Sequence, residues 1–285
     1  MNPMIKYRGG KSKEIPFFAK YIPQNYDTYY EPFIGGGAVY FHLNPLKAVI
    51  GDINDKVISF YSDIKINSII ARKQLSELQQ IYECNQAEYE AIKADHPDDR
   101  VENKNEALYY KIRDMFNEKI EKAYLDSVIY FFINKTAYSG MIRYNAKGEY
   151  NVPYGRYKNF NTNLITDTHV ELLERTDIIL GDYSLSFEKS TEKDFMFLDP
   201  PYDCIFNDYG NLEMTNGFDE TEHRRLANDY KNLSCKALMV IGKTPLTEEL
   251  YGNYIVDSYA KSYAVNIRNR FKSEAEHIIV SNYRI

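Results

Sequence analysis

The sequence contains no tryptophan and only three cysteines and five histidines among its 285 residues. Cys84, Cys204 and Cys235 are too few and too far apart for a disulfide framework or for the paired spacing of a zinc site. The histidines are just as scattered. The sequence therefore predicts no metal centre.

Long hydrophobic runs are also missing. A membrane-spanning helix needs about 20 apolar residues, and no apolar stretch in the sequence approaches that length. The basic residues near the start, between Lys6 and Lys13, are not followed by the apolar segment of a secretory signal. We therefore expect a protein of the cytoplasm with no membrane segment.

An excess of positive charge is absent, because the formal net charge is −6. This argues against a protein that coats nucleic acid nonspecifically. An enzyme that reads nucleic acid through a few basic residues on one face remains compatible with it. The 27 tyrosines would suit base stacking, but tyrosine is also common in strands and cores.

Two kinds of pattern alternate along the chain. Residues 29–60 begin with a strand, a glycine turn, a helix and a second strand, which is the opening unit of a doubly wound sheet. Residues 61–164 read as helical through about 133, with a loop at 95–99, and then as irregular and aromatic. The α/β pattern resumes at 165, with buried parallel strands predicted at 177–181 and 195–198.

The predicted fold is α/β, a Rossmann-like sheet with helices on both faces that is interrupted by a mostly helical insert. Residues 1–60 and 165–285 would form the sheet domain, and residues 61–164 the insert. Further along we predict a helix capped by Asp219, strands at 236–241 and 276–282, and a polar hairpin tip at 266–272.

The most informative motif is Asp199-Pro200-Pro201-Tyr202, which directly follows an apolar strand. Ligands of open α/β sheets bind at the carboxyl ends of such strands. The two prolines lack amide donors and fix the backbone. A carboxylate, a rigid carbonyl and an aromatic face suit a flat base that carries an amino group. The alternative interpretation is an ordinary turn after a strand.

Two other motifs point to ligand binding. Glu31-Pro32-Phe33-Ile34-Gly35-Gly36-Gly37 places glycines where a backbone can approach a ligand, but its spacing is not that of dinucleotide binders. Asp52, at the end of the next strand, is placed to accept hydrogen bonds from ribose hydroxyls. Lys6-Tyr7-Arg8-Gly9-Gly10-Lys11 could hold a carboxylate or a phosphate. A tight turn, a helix cap and a frayed basic tail are the corresponding structural alternatives.

Together, KYRGGK, YYEPFIGGG, GDIN and DPPY resemble the Dam-type family of DNA adenine methyltransferases. The stretch from Tyr138 to Lys158 is similar to the target-recognition segment of that family, and the blocks occur in the family's order over nearly the whole chain. The resemblance implies an S-adenosylmethionine-dependent enzyme of bacteria or phages, with no metal, that methylates the amino nitrogen of a flipped-out adenine in double-stranded DNA.

The resemblance also implies roles for individual residues. Asp199, Pro200, Pro201 and Tyr202 would bind the target adenine and form the catalytic site. The cofactor would be bound by Tyr7, Lys11, Glu31, Phe33, Gly35, Gly37, Asp52, Asp182 and Tyr183. DNA would be bound by Lys6, Tyr138, Ser139, Arg143, Lys147, Arg156 and Lys158, with Lys6 and Arg143 at guanine edges and Tyr138 inserted into the base stack.

The sequence departs from the family at three places. Ser139 replaces a frequent asparagine, Gly242-Lys243 replaces a usual Ser-Asn pair, and residues 61–133 match no motif. Each departure affects the expected DNA target, for which similarity suggests a sequence related to GATC. We hypothesise that a loop at 203–217 becomes ordered only when DNA is bound. A second basic patch is expected at Arg268, Arg270 and Lys272.

Other functions remain open at this point: an amino-methyltransferase of cytosine or RNA, a nicotinamide-dependent oxidoreductase, and a non-catalytic DNA-binding regulator. The absence of G-x-G-x-x-G argues against the oxidoreductase, and the intact tetrapeptide at 199–202 argues against the regulator. We expect a monomer. A cognate restriction endonuclease that acts separately is the protein partner considered.

Overall fold

A computed structural model describes residues 1–140, 142–202, 218–262 and 274–284. The chain forms two compact units. The helical unit comprises Met1–Gly10, Gly35–Gly37 and Asp55–Glu174, and the sheet unit comprises Lys11–Ile34, Ala38–Asn54 and Arg175–Ile285. Within the described ranges, no helix is long and apolar enough to cross a membrane. Where one functional domain ends and the next begins stays a prediction.

Among its described residues, the sheet unit contains seven strands in the order β3-β2-β1-β4-β5-β7-β6. The strands are β1 (Tyr29–Glu31), β2 (Ala48–Asp52), β3 (Thr176–Leu180), β4 (Phe195–Leu198), β5 (Lys236–Gly242), β6 (Ile255–Ser262) and β7 (Glu274–Ser281). Strands β1 to β5 are parallel, whereas β7 runs antiparallel to both of its neighbours, β5 and β6.

Helices cover both faces of this sheet. The helices of the sheet unit are α1 (Ile15–Phe18), α2 (Ala38–Leu43), α7 (Ser184–Lys189), α8 (Glu220–Lys231) and α9 (Pro245–Tyr251). Successive β4 side chains point to opposite faces. Phe197 stacks on Phe18 of α1, with ring centroids 5.2 Å apart. Leu198 is buried in a cluster that contains Leu226 of α8. The fully buried central strands therefore explain the apolar runs in the sequence.

The chain changes direction across the sheet between β1 and β4. It builds β1, β2 and β3 outward on one side and then returns to place β4 on the other side of β1. Open α/β sheets bind ligands at such a switch point, outside the carboxyl ends of the strands. Glu31 ends β1 and Asp199 follows β4, so both predicted site residues lie at this point.

The prediction that residues 177–181 form a buried strand is wrong in one respect. Strand β3 is parallel to β2, as expected, but most of its residues are partly or fully exposed. The reason is its position, because β3 is the edge of the sheet and has a neighbour on one side only. Its apolar composition alone could not distinguish an edge from a centre.

The helical unit contains α3 (Asp55–Asp95), α4 (Lys104–Phe116), α5 (Asp126–Thr136) and α6 (Asp167–Glu174). α3 is kinked at Asn67, whose side-chain amide donates to Asp63 one turn earlier, at 2.6 Å. The loop predicted at 95–99 is present from His96 onward, because Asp95 is the last residue of α3. The prediction of continuous helix from there to 133 is wrong, because residues 117–125 separate α4 from α5 and Glu118 has a φ of 58°.

In the described part of the segment 137–155, two isolated β-bridges take the place of regular strands. Ala137 pairs with Tyr154, and Tyr144 pairs with Tyr150, each in antiparallel fashion. Tyr109 of α4 donates a hydrogen bond to the Val152 carbonyl at 2.9 Å. The irregular segment is therefore fixed on the helices of its own unit. The predicted loop at 203–217 and the predicted hairpin tip at 266–272 lie outside the described residues.

Candidate active site

Asp199 forms an ion pair with Lys11 at the carboxyl end of β4. The Lys11 Nζ atom lies 2.6 Å from both carboxylate oxygens. The Lys11 side chain is only 2% exposed and that of Asp199 is 21% exposed. Burial raises the pKa of Asp199, and the ammonium group of Lys11 counteracts this shift. Lys11 thus favours the ionised carboxylate, which is the form that accepts hydrogen bonds.

Tyr202, at the other end of the tetrapeptide, contacts the same lysine. Lys11 Nζ lies 5.1 Å from the centroid of the Tyr202 ring. The ring also packs on Gly242 at the end of β5, where an added Cβ would lie 3.7 Å from Tyr202 Cδ2. Between Asp199 and Tyr202, Pro200 is buried and Pro201 is partly exposed. The carboxylate and the aromatic ring are therefore held around one ammonium group.

Glu31 is a buried carboxyl group at the end of β1. The Tyr29 hydroxyl donates to Glu31 Oε2 at 2.5 Å. Burial raises the pKa of Glu31 to about 8. The hydrogen bond from Tyr29 lowers this pKa, whereas the nearby negative charge of Asp199 raises it. Glu31 is therefore mostly protonated at neutral pH, and a cationic group beside it would favour its ionised form.

Asp52 is the last residue of β2, and Asp182 lies just after the adjacent strand β3. The Gly181 amide donates to the Asp52 carbonyl at 3.0 Å, so the two strand ends are level. Asp52 Oδ1 accepts from the Asn54 amide at 2.9 Å, and Asp182 Oδ1 accepts from the Ser184 amide at 3.0 Å. Each aspartate is thus held by the backbone just after it, and Asp182 Oδ1 is also paired with the guanidinium group of Arg225.

Tyr183 was predicted to stack on the cofactor, but its side chain is only 2% exposed because other side chains surround it. Its hydroxyl donates to Asp229 Oδ2 at 2.9 Å. The Phe33 ring lies 5.6 Å away, and the guanidinium carbon of Arg225 lies 4.7 Å from the Tyr183 centroid. A purine could stack on Tyr183 only if one of these neighbours moved.

Tyr7 packs on the glycine turn within the helical unit. Gly35 has a φ of 43°, and a Cβ added to it would lie 2.7 Å from two carbons of the Tyr7 ring. Gly37 has a φ of 69°. The Tyr61 hydroxyl fixes the turn by donating to the Gly35 carbonyl at 2.9 Å. The turn therefore needs glycine both for its backbone conformation and for the approach of Tyr7.

Lys6 is held beside the predicted recognition segment. The Asn134 side chain accepts from the Lys6 amide at 2.8 Å and donates to the Lys6 carbonyl at 2.7 Å. Lys6 Nζ lies 4.6 Å from the centre of the Tyr157 ring. Burial, with a smaller effect of the Lys6 charge, lowers the pKa of Lys135 to about 8. Two lysines thus lie in one region of the helical unit.

Tyr138 and Ser139 form a turn next to this region. The Tyr138 side chain is 51% exposed, and its amide donates to the Pro153 carbonyl at 2.9 Å. Ser139 has a φ of 54°, in the left-handed region. Asparagine tolerates that conformation well, which gives a physical reason for the asparagine expected at this position.

Arg143 is exposed and oriented by a neighbour. Its Nε donates to Asn151 Oδ1 at 2.8 Å. Lys147 lies in the turn that follows, where its amide donates to Asn145 Oδ1 at 2.9 Å. Arg156 is also exposed, and Lys158 forms an exposed ion pair with Glu90 at 3.3 Å. The predicted DNA-binding residues thus all lie in the helical unit.

The sequence model of the D12 class N6 adenine-specific DNA methyltransferases matches residues 7–267. The chain belongs to this family. Its Rossmann-like sheet with helices on both sides is the fold expected of such a methyltransferase. The predicted activity, methylation of the N6 nitrogen of adenine in DNA, is confirmed at the level of the family. Enzymes of this kind use S-adenosylmethionine as methyl donor.

Several relatives align with this methyltransferase over nearly its whole length. The type II methyltransferase M.CviBI of Paramecium bursaria Chlorella virus NC1A is 34% identical, over 99% of this chain and 100% of its own. The type II methyltransferase M.MjaIII of Methanocaldococcus jannaschii is 31% identical, over 92% and 88%. The DNA adenine methylase of Salmonella typhi is 27% identical, over 94% and 88%.

The residues of this methyltransferase fit the cofactor chemically. S-adenosylmethionine carries an ammonium group, a ribose diol and an adenine amino group. The buried Glu31 suits the ammonium group, and Asp52 and Asp182, at successive strand ends, suit the diol and the amino group. Lys11 pairs with Asp199, and its role in cofactor binding stays a prediction.

Sequence reasoning missed two buried residues of the sheet unit, Glu14 and His277. Glu14 lies one turn after Lys11, and His277 packs on Tyr202. The only available signal was a histidine next to the apolar run 278–280 of β7, and such a histidine is more often a core residue than part of a site. Their contact joins positions 263 residues apart, which no local pattern could indicate.

Proposed function

We propose that this methyltransferase acts on specific sites in duplex DNA and methylates an extrahelical adenine at the carboxyl end of β4. The observation that carries the proposal is the assembly of Lys11, Asp199 and Tyr202 at the switch point of the sheet. It supplies a carboxylate paired with an ammonium group and an aromatic ring beside it, which are two features that suit an amino-bearing base.

Asp199 would accept one proton of the adenine amino group in a hydrogen bond, and the Pro200 carbonyl would accept the other. Both bonds favour a pyramidal nitrogen, whose lone pair is then less delocalised into the ring. Tyr202 would stack on the base and fix its angle of approach. Fixed acceptors of this kind contribute mainly by positioning and by electrostatics that need no reorganisation.

The cofactor is proposed to be S-adenosylmethionine, which when bound supplies an activated methyl group and leaves as S-adenosylhomocysteine. Glu31 would hold its ammonium group, Asp52 its ribose and Asp182 its adenine. Tyr7, Lys11, Phe33, Gly35, Gly37 and Tyr183 are the further residues proposed for cofactor binding. The ammonium group of Lys11 is paired with Asp199.

Residues 61–164 are proposed to recognise DNA, with residues 1–60 and 165–285 as the catalytic domain. A base must leave the duplex to reach a buried pocket, at a cost of a few kcal/mol. Tyr138 would fill the gap, Lys6 and Arg143 would contact guanine edges, and Ser139, Lys147, Arg156 and Lys158 would contact DNA nearby. The exposure of Tyr138 and the orientation of Arg143 by Asn151 support these roles.

The decisive experiment compares Asp199→Asn with Asp194→Asn. Both aspartates flank β4, but Asp194 precedes the strand and accepts a hydrogen bond from the Thr28 amide at 3.0 Å. We expect Asp199→Asn to abolish labelled-methyl transfer to duplex DNA while the protein still binds S-adenosylmethionine. Asp194→Asn should lower thermal stability and retain turnover below the melting temperature.

Nucleoside mass spectrometry identifies the product, and sequencing of DNA from cells that express the protein maps the target site. N6-methyladenine in DNA is the expected product. Near-normal turnover by Asp199→Asn would refute the catalytic role, and methylation of RNA alone would refute the substrate. Size-exclusion chromatography with light scattering tests the proposed monomer, with and without a candidate endonuclease.

A further inference from the structure

Glu14 is a buried carboxylate that receives hydrogen bonds from three side chains of β6 and β7. Tyr259 donates to Oε2 at 2.6 Å, His277 Nδ1 donates to Oε2 at 2.8 Å, and Lys261 Nζ donates to Oε1 at 2.5 Å. Burial alone would raise the pKa of Glu14, but these bonds and the charge of Lys11 lower it to about 2. Glu14 is therefore ionised, and the His277 Nδ1 atom must carry a proton to bond with it.

This hydrogen bond fixes a ring that touches the target-base pocket. The His277 side chain is fully buried. Its ring lies 5.0 Å from that of Tyr202, at an interplanar angle of 77°, so that an edge of one ring meets the face of the other. Such edge-to-face contacts are favourable and directional. The orientation of Tyr202 therefore depends on a histidine that is itself held by Glu14.

Glu14 is also linked to the other end of the tetrapeptide. Its amide donates to the Lys11 carbonyl at 2.7 Å, so the two residues belong to one turn of the chain. Lys11 binds both oxygens of Asp199. One turn before α1 therefore supports the carboxylate through Lys11 and the aromatic ring through Glu14 and His277.

We propose that Glu14 and His277 are positioning residues, which fix the Tyr202 ring at the angle needed to stack on the target adenine. The inference rests on the proposed function of Tyr202 and adds the residues that orient it. A purely structural role is a poor explanation, because burying ions carries a large desolvation cost and apolar residues can join strands without that cost.

His277→Asn is the main test. An asparagine amide can keep the bond to Glu14, because its nitrogen occupies nearly the same place as Nδ1, but the ring edge against Tyr202 is lost. We expect kcat to fall about 10-fold, since small misplacements of a reacting group have large effects on rate. Affinity for S-adenosylmethionine, measured by calorimetry, should remain within about twofold, because the altered contact acts through Tyr202 alone.

A double-mutant cycle separates positioning from general stability. In a Tyr202→Leu background, His277→Asn should cause no further loss of kcat, because the ring on which it acts is gone. Duplex DNA with 2-aminopurine at the mapped target gives a second readout. In His277→Asn its fluorescence should be brighter than with the unaltered protein, because a misplaced Tyr202 quenches the extrahelical base less.

Tyr259→Phe decides the question if His277→Asn does not fold. It removes one donor to Glu14 and keeps the ring, and we expect a loss of kcat of about threefold, in the range of a single hydrogen bond. Tyr251→Phe is the matched control, because its hydroxyl is buried in the same unit and makes no hydrogen bond among the described residues. It should leave kcat unchanged.

Two results would overturn the inference. One is a folded His277→Asn protein with unaltered kcat and 2-aminopurine signal. The other is a full additional loss of kcat in the Tyr202→Leu background. Either outcome leaves the proposed function intact as long as Asp199→Asn is inactive. Absence of adenine methylation by the unaltered chain would instead refute the proposed function, and this inference with it.

Discussion

Lys11 Nζ lies 2.6 Å from both carboxylate oxygens of Asp199, although the two residues are 188 positions apart in the chain. The pair brings a basic residue from before α1 to the carboxyl end of a central strand. Burial of the aspartate favours its protonated form, whereas the ammonium group favours the ionised one. Among the charged neighbours of the proposed catalytic carboxylate, Lys11 therefore has the largest effect on its pKa.

Lys11→Met should move the acid limb of the kcat profile to higher pH. The substitution keeps most of the aliphatic volume but removes the charge that lowers the pKa of Asp199, while burial still raises it. More alkaline conditions are then needed to ionise the carboxylate. Lys13→Met, at an exposed lysine two residues away, is the control and should keep the original profile. Identical profiles for the two variants would contradict the role of Lys11.

Cofactor binding should release a proton from Glu31. Burial raises the pKa of this group to about 8, so it is protonated at pH 7 before binding, and an ammonium group would stabilise its ionised form. The complex then carries fewer protons than the free protein, so affinity increases with pH up to about 8.

Calorimetry in buffers of different ionisation enthalpy measures the number of protons that are released when the cofactor binds. Glu31→Gln should abolish the part of the proton release that comes from the protein, and it should weaken cofactor binding. Comparison of the two proteins cancels the titration of the ligand itself. An equal proton release by both would show that Glu31 does not hold the ammonium group.

Gly35→Ala should weaken cofactor binding and lower thermal stability. The added Cβ would lie 2.7 Å from the Tyr7 ring, and a left-handed φ costs a non-glycine residue about 1–2 kcal/mol. Gly9→Ala is a matched control, because Gly9 has a φ of 79° but nothing within 4 Å of an added Cβ. Melting curves and cofactor titrations should show the larger effect for Gly35→Ala. Equal effects would mean that the approach of Tyr7 is unimportant.

Arg143→Ala should relax discrimination at one base pair of the target, by about 1–3 kcal/mol. The Asn151 bond orients the guanidinium group, which suits a contact to a base edge. Lys147→Ala should instead weaken binding to all sequences and reduce the salt dependence by about one phosphate contact. Titrations of the mapped site and of single-base variants distinguish the two. A uniform loss for Arg143→Ala would exclude it as a base reader.

The central sheet was predictable because its signals are local. The apolar runs that became β1, β2, β4 and β5 are short and bounded by turn residues, and the tetrapeptide at 199–202 follows one of them directly. Strand β6 was missed, since Ile255–Ser262 mixes polar and apolar residues and only Tyr259 is buried among the positions described. Such a pattern has no strong periodicity in composition.

The candidate site was predictable in its residues more than in its contacts. Motif and resemblance pointed to Asp199, Tyr202 and Lys11, but they did not indicate that Lys11 pairs with Asp199. The ion pair, the burial of Glu31 and the Glu14–His277 bond are long-range contacts, and each depends on how the chain packs. No spacing in the sequence indicates that Tyr183 lies beneath Arg225.

The reversed direction of β7 has a consequence for tolerance to sequence change. Since β7 runs against β5, its first residues lie where the parallel strands finish, and His277 pairs with Gly242. A slip of β7 by a single position would turn Glu276 or Ile278 toward Tyr202 and send the imidazole to the opposite face. The register of β7 therefore determines the arrangement of the proposed active site as well as the packing of the core.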